Sequence, residues 1–218
     1  MITPLNQSNS IFNQYLAEIR DQNIQSDSLR FRRNLERMGE IIAYEISKTL
    51  TFEEKEITTP LGIAKERVPA ANPVVVSLLR AGLPLHQGIL NIFDRSKNGF
   101  ISAYRVYDKE GSFQIKLEYV SCPEVTGETV ILADAMLASG ATIKLAYKAL
   151  LQKGTPEHVH IVGLIASKKG LNYLRKHLPA QKITYWIGAI DDELTSKSYI
   201  VPGLGDAGDL AYGAKTEK

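Results

Sequence analysis

The stretch that most constrains this chain is Val130 to Thr142, VILADAMLASGAT. Three apolar residues, Val130 to Leu132, run into Ala133 and Asp134. A series of small residues, Ala138, Ser139, Gly140, Ala141 and Thr142, then leads into the apolar-periodic segment Ile143 to Leu151. The pattern predicts a strand buried on both faces and ending near Asp134, then a tight loop and a helix. Loops at the carboxyl ends of such strands face ligands. Small side chains let backbone N–H groups approach an anion closely, and the following helix adds unpaired N–H groups and a positive dipole end. The hydroxyls of Ser139 and Thr142 add donors. Asp134 fits no anion site, because a carboxylate repels phosphate; ribose hydroxyls or a magnesium-bound water suit it. A plainer reading stands beside this one, since every α/β protein has strand-loop-helix units capped by Ser, Thr or Asp. The stretch is no Walker loop, lacking the Gly-x-x-x-x-Gly-Lys-Ser/Thr pattern.

The rest of the chain repeats the unit. Ile11 to Arg20 and Leu29 to Leu50 have helical spacing, with Leu35, Met38, Ile42 and Ile46 on one stripe and Ser26 or Asp27 as a cap for the second helix. Thr51 to Arg67, with Pro60 and Gly62, predicts a short antiparallel ribbon. Val74 to Leu79 is a buried strand, followed by Arg80, Ala81, Gly82 and a helix from about Leu83 to Phe93. An arginine at such a strand end presents a charged fork beside exposed N–H groups, which suits diphosphate; pairing with a local carboxylate is the alternative. Phe100 to Val106 and Phe113 to Val120 alternate around a polar, glycine-bearing tip and predict a β-hairpin. Lys109 and Lys116 there read as solvated charges. His158 to Ser167 and Lys182 to Ile190 are further strands around a helix from Lys168 to Leu178. Strands alternating with helices imply right-handed crossovers and a mainly parallel sheet, with ligands beyond the strands' carboxyl ends.

Several functions are disfavoured. Twenty-six basic and twenty-four acidic residues leave a formal charge of +2, no electrostatic case for nucleic acid or an acidic membrane surface. The lone Cys122 demands no oxidising compartment. The N-terminal MITPLNQSNS lacks a basic and an apolar leader region, and no apolar run approaches the roughly 20 residues of a membrane span, so a cytoplasmic location is expected. His86, His158, His160 and His177 show no metal-ligand spacing with acids or Cys122, and are read as structural. Asp191, Asp192 and Glu193 read as a solvated turn. Gly203-x-Gly205-x-x-Gly208 matches the dinucleotide pattern, but Pro202 interrupts the approach and only ten residues follow Gly208. A Rossmann fingerprint needs a strand before it and a long helix after it. The segment is instead a rigid loop whose own N–H and C=O groups can read a base.

VILADAMLASGAT resembles the phosphoribosyl-diphosphate (PRPP) signature of type I phosphoribosyltransferases, in the single-acid form of the uracil phosphoribosyltransferases. LLRAGLPLHQGIL at Leu78 to Leu90 and YIVPGLGDAGDLAYG at Tyr199 to Gly213 resemble the same family, the last almost residue for residue over its uracil-binding loop. The similarity runs from about Ser28 to the C-terminus. It implies a type I phosphoribosyltransferase fold over residues 1–218 as one domain: a mainly parallel sheet flanked by helices, N-terminal helices within 1–50, a β-hairpin arm over 100–120 and a C-terminal base-binding hood over 191–218.

The implied reaction is uracil plus PRPP giving UMP and diphosphate, for pyrimidine salvage. By resemblance, Arg80 and Arg105 bind diphosphate, Asp134 grips the ribose hydroxyls, and Ala135, Met136, Leu137, Ala138, Ser139, Gly140, Ala141 and Thr142 complete the PRPP site. Tyr199, Ile200, Gly205, Asp206 and Ala207 hold uracil, with Asp206 also facing the phosphoribosyl group. Magnesium is implied as cofactor, held through substrate and water and not directly by protein. The family is usually oligomeric, as dimers or tetramers, and some relatives respond to GTP. The chain departs from the family pattern in having Ala135 where Pro is usual, Ser139-Gly140-Ala141-Thr142 where Thr-Gly-Gly-Ser is usual, and Leu210 where a basic residue is common. Rival readings are a phosphoribosyltransferase for another nucleobase and a phosphoribosyltransferase-like regulator binding pyrimidine-operon RNA; the near-neutral charge and lack of a basic-aromatic cluster weigh against the latter.

Overall fold

The computed structural model describes residues 1–107 and 113–215, with side chains described outside 104–115. In chain order the strands and helices are β1 (Ile2–Pro4), α1 (Ile11–Arg20), α2 (Ser28–Ser47), β2 (Phe52–Thr59), β3 (Gly62–Pro69), β4 (Val74–Leu79), α3 (Gly82–Ile92), β5 (Asn98–Tyr107) and β6 (Phe113–Ser121). After these come β7 (Thr129–Leu137), α4 (Ala141–Leu151), β8 (His158–Ser167), α5 (Lys168–His177), β9 (Ile183–Asp191), β10 (Glu193–Leu194), β11 (Ile200–Val201) and α6 (Ala207–Tyr212).

The continuous apolar runs become the middle of a seven-stranded sheet in the order β1-β9-β8-β7-β4-β5-β6. Every pairing is parallel except β5 with β6. Such strands are buried on both faces, and Val74, Val75 and Val76 of β4 and Val130, Ile131 and Leu132 of β7 are all at most 1% exposed. From β4 the chain steps to β5 on one side, whereas from β7 it steps to β8 on the other. The sheet's switch point therefore lies between β4 and β7, where a crevice opens beyond the strand ends.

Helices α1 and α2 start at side-chain caps. Ser10 accepts from the Phe12 N–H, and Asp27 from the N–H groups of Leu29 and Arg30. The stripe of Leu35, Met38, Ile42 and Ile46 is wholly buried, each side chain contributing about 1.5–3 kcal/mol of apolar transfer. Packing thus accounts for these helices. Helices α2 and α3 cross so closely at Gly39 and Gly88 that a Cβ there would strike the backbone carbonyls of Leu85 and Glu36. Among the described residues no helix is long and apolar enough to cross a membrane.

Three expectations need correction, and one strand, β1, goes beyond them. Strand β7 does not end at Asp134 but runs to Leu137, because pairing with β8 continues through Leu137 and Ala166 after pairing with β4 has stopped at Ala133. Asp134 therefore lies just past the point where one side of β7 becomes free. The N-terminal residues form β1, an edge strand beside β9. The glycine-rich C-terminal loop is only partly irregular, since β11 pairs with β10 and Asp206 caps the short helix α6. Finally, Asp191 is not solvated: it is 7% exposed and ion-paired with Arg20. The hairpin is formed as expected, but its tip, with Lys109, lies outside the described residues. Arg105 pairs with Ile115 through the backbone ladder, and its side chain lies outside the description.

Candidate active site

A cleft of about 170 Å³ opens over the sheet's switch point. Its floor is Asp134, Met136 and Leu137 of β7. One wall is Ala138, Ser139, Gly140, Thr142 and Ile143, where the chain turns into α4. The other wall is Ser198, Tyr199, Ile200 and Gly205 to Gly208, with Ala81 at the end of β4. Segments some 65 residues apart in sequence thus face one another.

The first wall is built for close backbone approach. Gly140 has φ +78°, a left-handed conformation that costs an L side chain roughly 1–2 kcal/mol. It leads directly into α4, whose first amides face the crevice end of the sheet. The Ser139 hydroxyl accepts from the Ala141 N–H at 3.3 Å. Ser167, at the end of the neighbouring strand β8, donates its hydroxyl to the Ala138 carbonyl at 2.5 Å while accepting the Gly170 N–H at 2.8 Å. One hydroxyl therefore caps α5 and fixes the start of the loop.

The floor carries the electrostatic feature. Asp134 is half-buried in the cleft floor, and desolvation pushes its carboxyl up to about 7; the N–H groups of Met136 and Ala135 oppose that shift without cancelling it. A hydroxyl-rich ligand that donates to the carboxylate would favour its charged form. Among the described residues no three His, Cys, Asp or Glu side chains group so as to hold a metal ion. The cleft offers Asp134 and Asp206 as single carboxylates. This donor set suits magnesium brought in by an oxyanion with its waters, not a cation caged by protein.

The second wall holds Tyr199, 44% exposed at the rim, and Ile200, buried beneath it. Asp206 accepts the Asp209 N–H at 3.0 Å, fixing the start of α6. Among the residues whose side chains are described, three expected in the site do not line the cleft. Ala135 alternates to the opposite face of β7 and is 1% exposed in the core. Ala141 opens α4, with its N–H taken by Ser139. Arg80 stands at the rim, where its Nη2 pairs with Asp209 at 2.8 Å and its Nη1 donates to the Gly213 carbonyl at 3.3 Å. Conversely Ala81, Ile143, Ser198 and Gly208 line the cleft without having been singled out. Gly208 had a signal, as the third glycine of the spaced set; Ser198, with φ +62°, had none.

A family model described as uracil phosphoribosyltransferase matches residues 6–214. The chain belongs to the uracil phosphoribosyltransferase family. A uracil phosphoribosyltransferase of Porphyromonas gingivalis is 51% identical over 97% of this chain and 97% of its own. Among solved structures, the AQ2163 protein from Aquifex aeolicus superimposes with a TM-score of 0.87 at 29% identity over the whole of both chains. A hypoxanthine phosphoribosyltransferase from Staphylococcus aureus, covering 75% of this chain and 76% of its own at 11% identity, shares the fold with a TM-score of 0.50. The type I phosphoribosyltransferase fold is thereby shown.

Two of the departures from the family pattern have local explanations. Ala141 needs no positive φ, because the left-handed residue is Gly140 and α4 has already begun. Leu210 packs, half-buried, against the core cluster that includes Ala207 and Ala211, so the position serves packing where family members often carry charge.

Proposed function

We propose that this chain transfers the phosphoribosyl group of PRPP to N1 of uracil, giving UMP and diphosphate in pyrimidine salvage. The observation that carries the reading is the juxtaposition, across one cleft, of the small-residue loop after β7 with the Tyr199–Gly208 segment. The 5-phosphate would sit on the amides and hydroxyls between Ala138 and Thr142, at the positive end of α4. Asp134 would hold the ribose hydroxyls, whose donated hydrogen bonds draw its raised pKa back down and leave it charged. Uracil would lie against Tyr199 and Ile200, read by main-chain groups of Gly205, Asp206 and Ala207, within the hood. Uracil presents N3–H between two carbonyls, whereas cytosine has an acceptor at N3 and a donor at position 4. Fixed main-chain groups left unpaired by cytosine discriminate by about 10⁴ or more.

Loss of diphosphate builds positive charge at ribose C1, so catalysis is mainly electrostatic and positional. Arg80 would meet the leaving diphosphate, exchanging part of its pairing with Asp209 for the anion. Arg105, on the hairpin arm, would supply a second cation. Magnesium bound to diphosphate would offset the leaving group's charge, with Asp134 or Asp206 accepting from metal-bound water. Homo-oligomerisation and a response to GTP belong to the same reading. Diphosphate release with uracil, cytosine and hypoxanthine, each with and without magnesium, tests it. Magnesium-dependent release with uracil as the preferred base is expected; release that prefers another base overturns the assignment.

A further inference from the structure

Four short hydrogen bonds tie Arg20, Asp191 and Gly203 to one another, two of them ending on Gly203. Arg20, the last residue of α1, donates Nη1 and Nη2 to the two carboxylate oxygens of Asp191, both at 2.8 Å. The same Nη1 donates to the Gly203 carbonyl at 2.8 Å, and the Gly203 N–H donates to Asp191 Oδ2 at 2.9 Å. Both main-chain groups of Gly203 are thereby held by one part-buried ion pair, whose side chains are 23% and 7% exposed. Gly203 itself has φ +55°, and a Cβ there would run into the Ile200 carbonyl. Ile200 lies three residues before this clasp and Gly205 two after it, and both line the cleft. Neither Arg20 nor Asp191 does.

We propose that Arg20 and Asp191 are positioning residues for base selection, which set the main-chain groups of the hood through Gly203; this rests on the function proposed above. Burying an ion pair gains little stability over apolar packing, but its bidentate geometry fixes a register. Burial alone would push the Asp191 carboxyl up, and the bonds from Arg20 and Gly203 outweigh it and hold it below the ordinary range. The facing loop has its own anchor in Ser167. Loosening the clasp should therefore disturb the pyrimidine end of the cleft and spare the 5-phosphate end.

The test compares kcat and the KM for each substrate in wild type, Asp191→Asn, Arg20→Lys and the double variant, with thermal unfolding measured alongside. Arg20→Lys keeps the charge but loses the fork. Each single variant should raise the KM for uracil about ten-fold and leave the KM for PRPP within about two-fold, and the double should be no worse than the more affected single. If Asp191→Asn does not fold at the assay temperature, the same comparison on Arg20→Lys decides. Both KM values rising in parallel, an unchanged KM for uracil, or fully additive effects would overturn the inference. Failure of the wild type to release diphosphate with uracil would instead defeat the underlying function.

Discussion

Desolvation in the cleft floor works against the charged form of Asp134, and Asp134→Asn should expose that cost. A carboxyl whose pKa moves from 3.8 to about 7 on folding costs roughly 4 kcal/mol to ionise in the folded state, at 1.36 kcal/mol per pKa unit. The cleft floor is partly open to solvent, so we halve this to ~2 kcal/mol. The sign follows from proton uptake. Below about pH 4 folded and unfolded chains both carry the proton and the residue is neutral in the balance. Between about 4 and 7 the unfolded chain ionises while the folded one does not, so wild-type stability falls with rising pH; above about 7 the loss is complete. The asparagine side chain has the same shape and never ionises. Ligand-free Asp134→Asn should therefore match wild type near pH 4 and melt higher at pH 8, by about 4–8 °C at 2–4 °C per kcal/mol for a domain of this size. On the function proposed above, its turnover at pH 8 should nevertheless fall about 10²-fold or more, since the fixed negative charge facing the positive charge that develops on the ribosyl group is gone. Unfolding curves at pH 4, 6 and 8, at one protein concentration, check the first part. Equal melting temperatures at pH 8, or a difference that does not grow with pH, would refute the reasoning.

Three further perturbations test other contacts. Asp209→Asn removes the half-exposed carboxylate that pairs with Arg80 at 2.8 Å. An ion pair of that exposure is worth about 0.2–1 kcal/mol, so freeing the guanidinium should lower the KM for PRPP by up to about five-fold in steady-state assays; a rise would argue that Arg80 needs Asp209 for its aim. Ser167→Ala deletes both the α5 cap and the tie to the Ala138 carbonyl. It should cost about 1–2 kcal/mol, seen as a lower melting temperature, and raise the KM for PRPP more than that for uracil. Gly140→Ala forces a Cβ into a left-handed turn with the Gly170 carbonyl 2.8 Å and Leu174 Cγ 2.9 Å away. A loss of more than about 1 kcal/mol in denaturant unfolding is expected, together with weakened PRPP binding.

What the sequence made legible was what local chemistry decides. The strand Val74–Leu79 and the helix Ile11–Arg20 stand where the apolar patterns put them, because a run buried on both faces and a capped 3.6-residue stripe each have one stable solution. The strand β1 is only three residues long and owes its conformation to β9, some 180 residues away, so no local pattern announces it. Asp191 followed the same logic. In its own neighbourhood it sits before Asp192 and Glu193 and resembles a solvated turn, while its partner Arg20 is 171 residues distant. Arg80 could be placed at a strand end from sequence, but its carboxylate partner lies 129 residues away, and only the folded chain brings the two together. Of the cleft's lining, the loop after β7 and the Tyr199–Ala207 segment were legible through composition and motif, whereas Ser198 became visible only through its backbone geometry.

The two walls of the cleft are anchored to different parts of the fold, and this bears on how the site works. The loop after β7 is tied through Ser167 to α5 and β8, inside the sheet's own register. The C-terminal wall is tied through Arg20 and Asp191 to α1 and the end of β9, and through Arg80 to the end of β4. The first set of contacts consists of neutral hydrogen bonds around a buried hydroxyl, and the second of ion pairs that grow more exposed from Arg20–Asp191 to Arg80–Asp209. Screening by solvent weakens the outer pair most. An anion arriving at Arg80 competes with the outer pair alone. Helix α6 is also held by Arg32, which donates Nη1 to the Ala211 carbonyl at 2.6 Å, and by the burial of Ala207 and Ala211; the register of the wall can therefore survive the exchange.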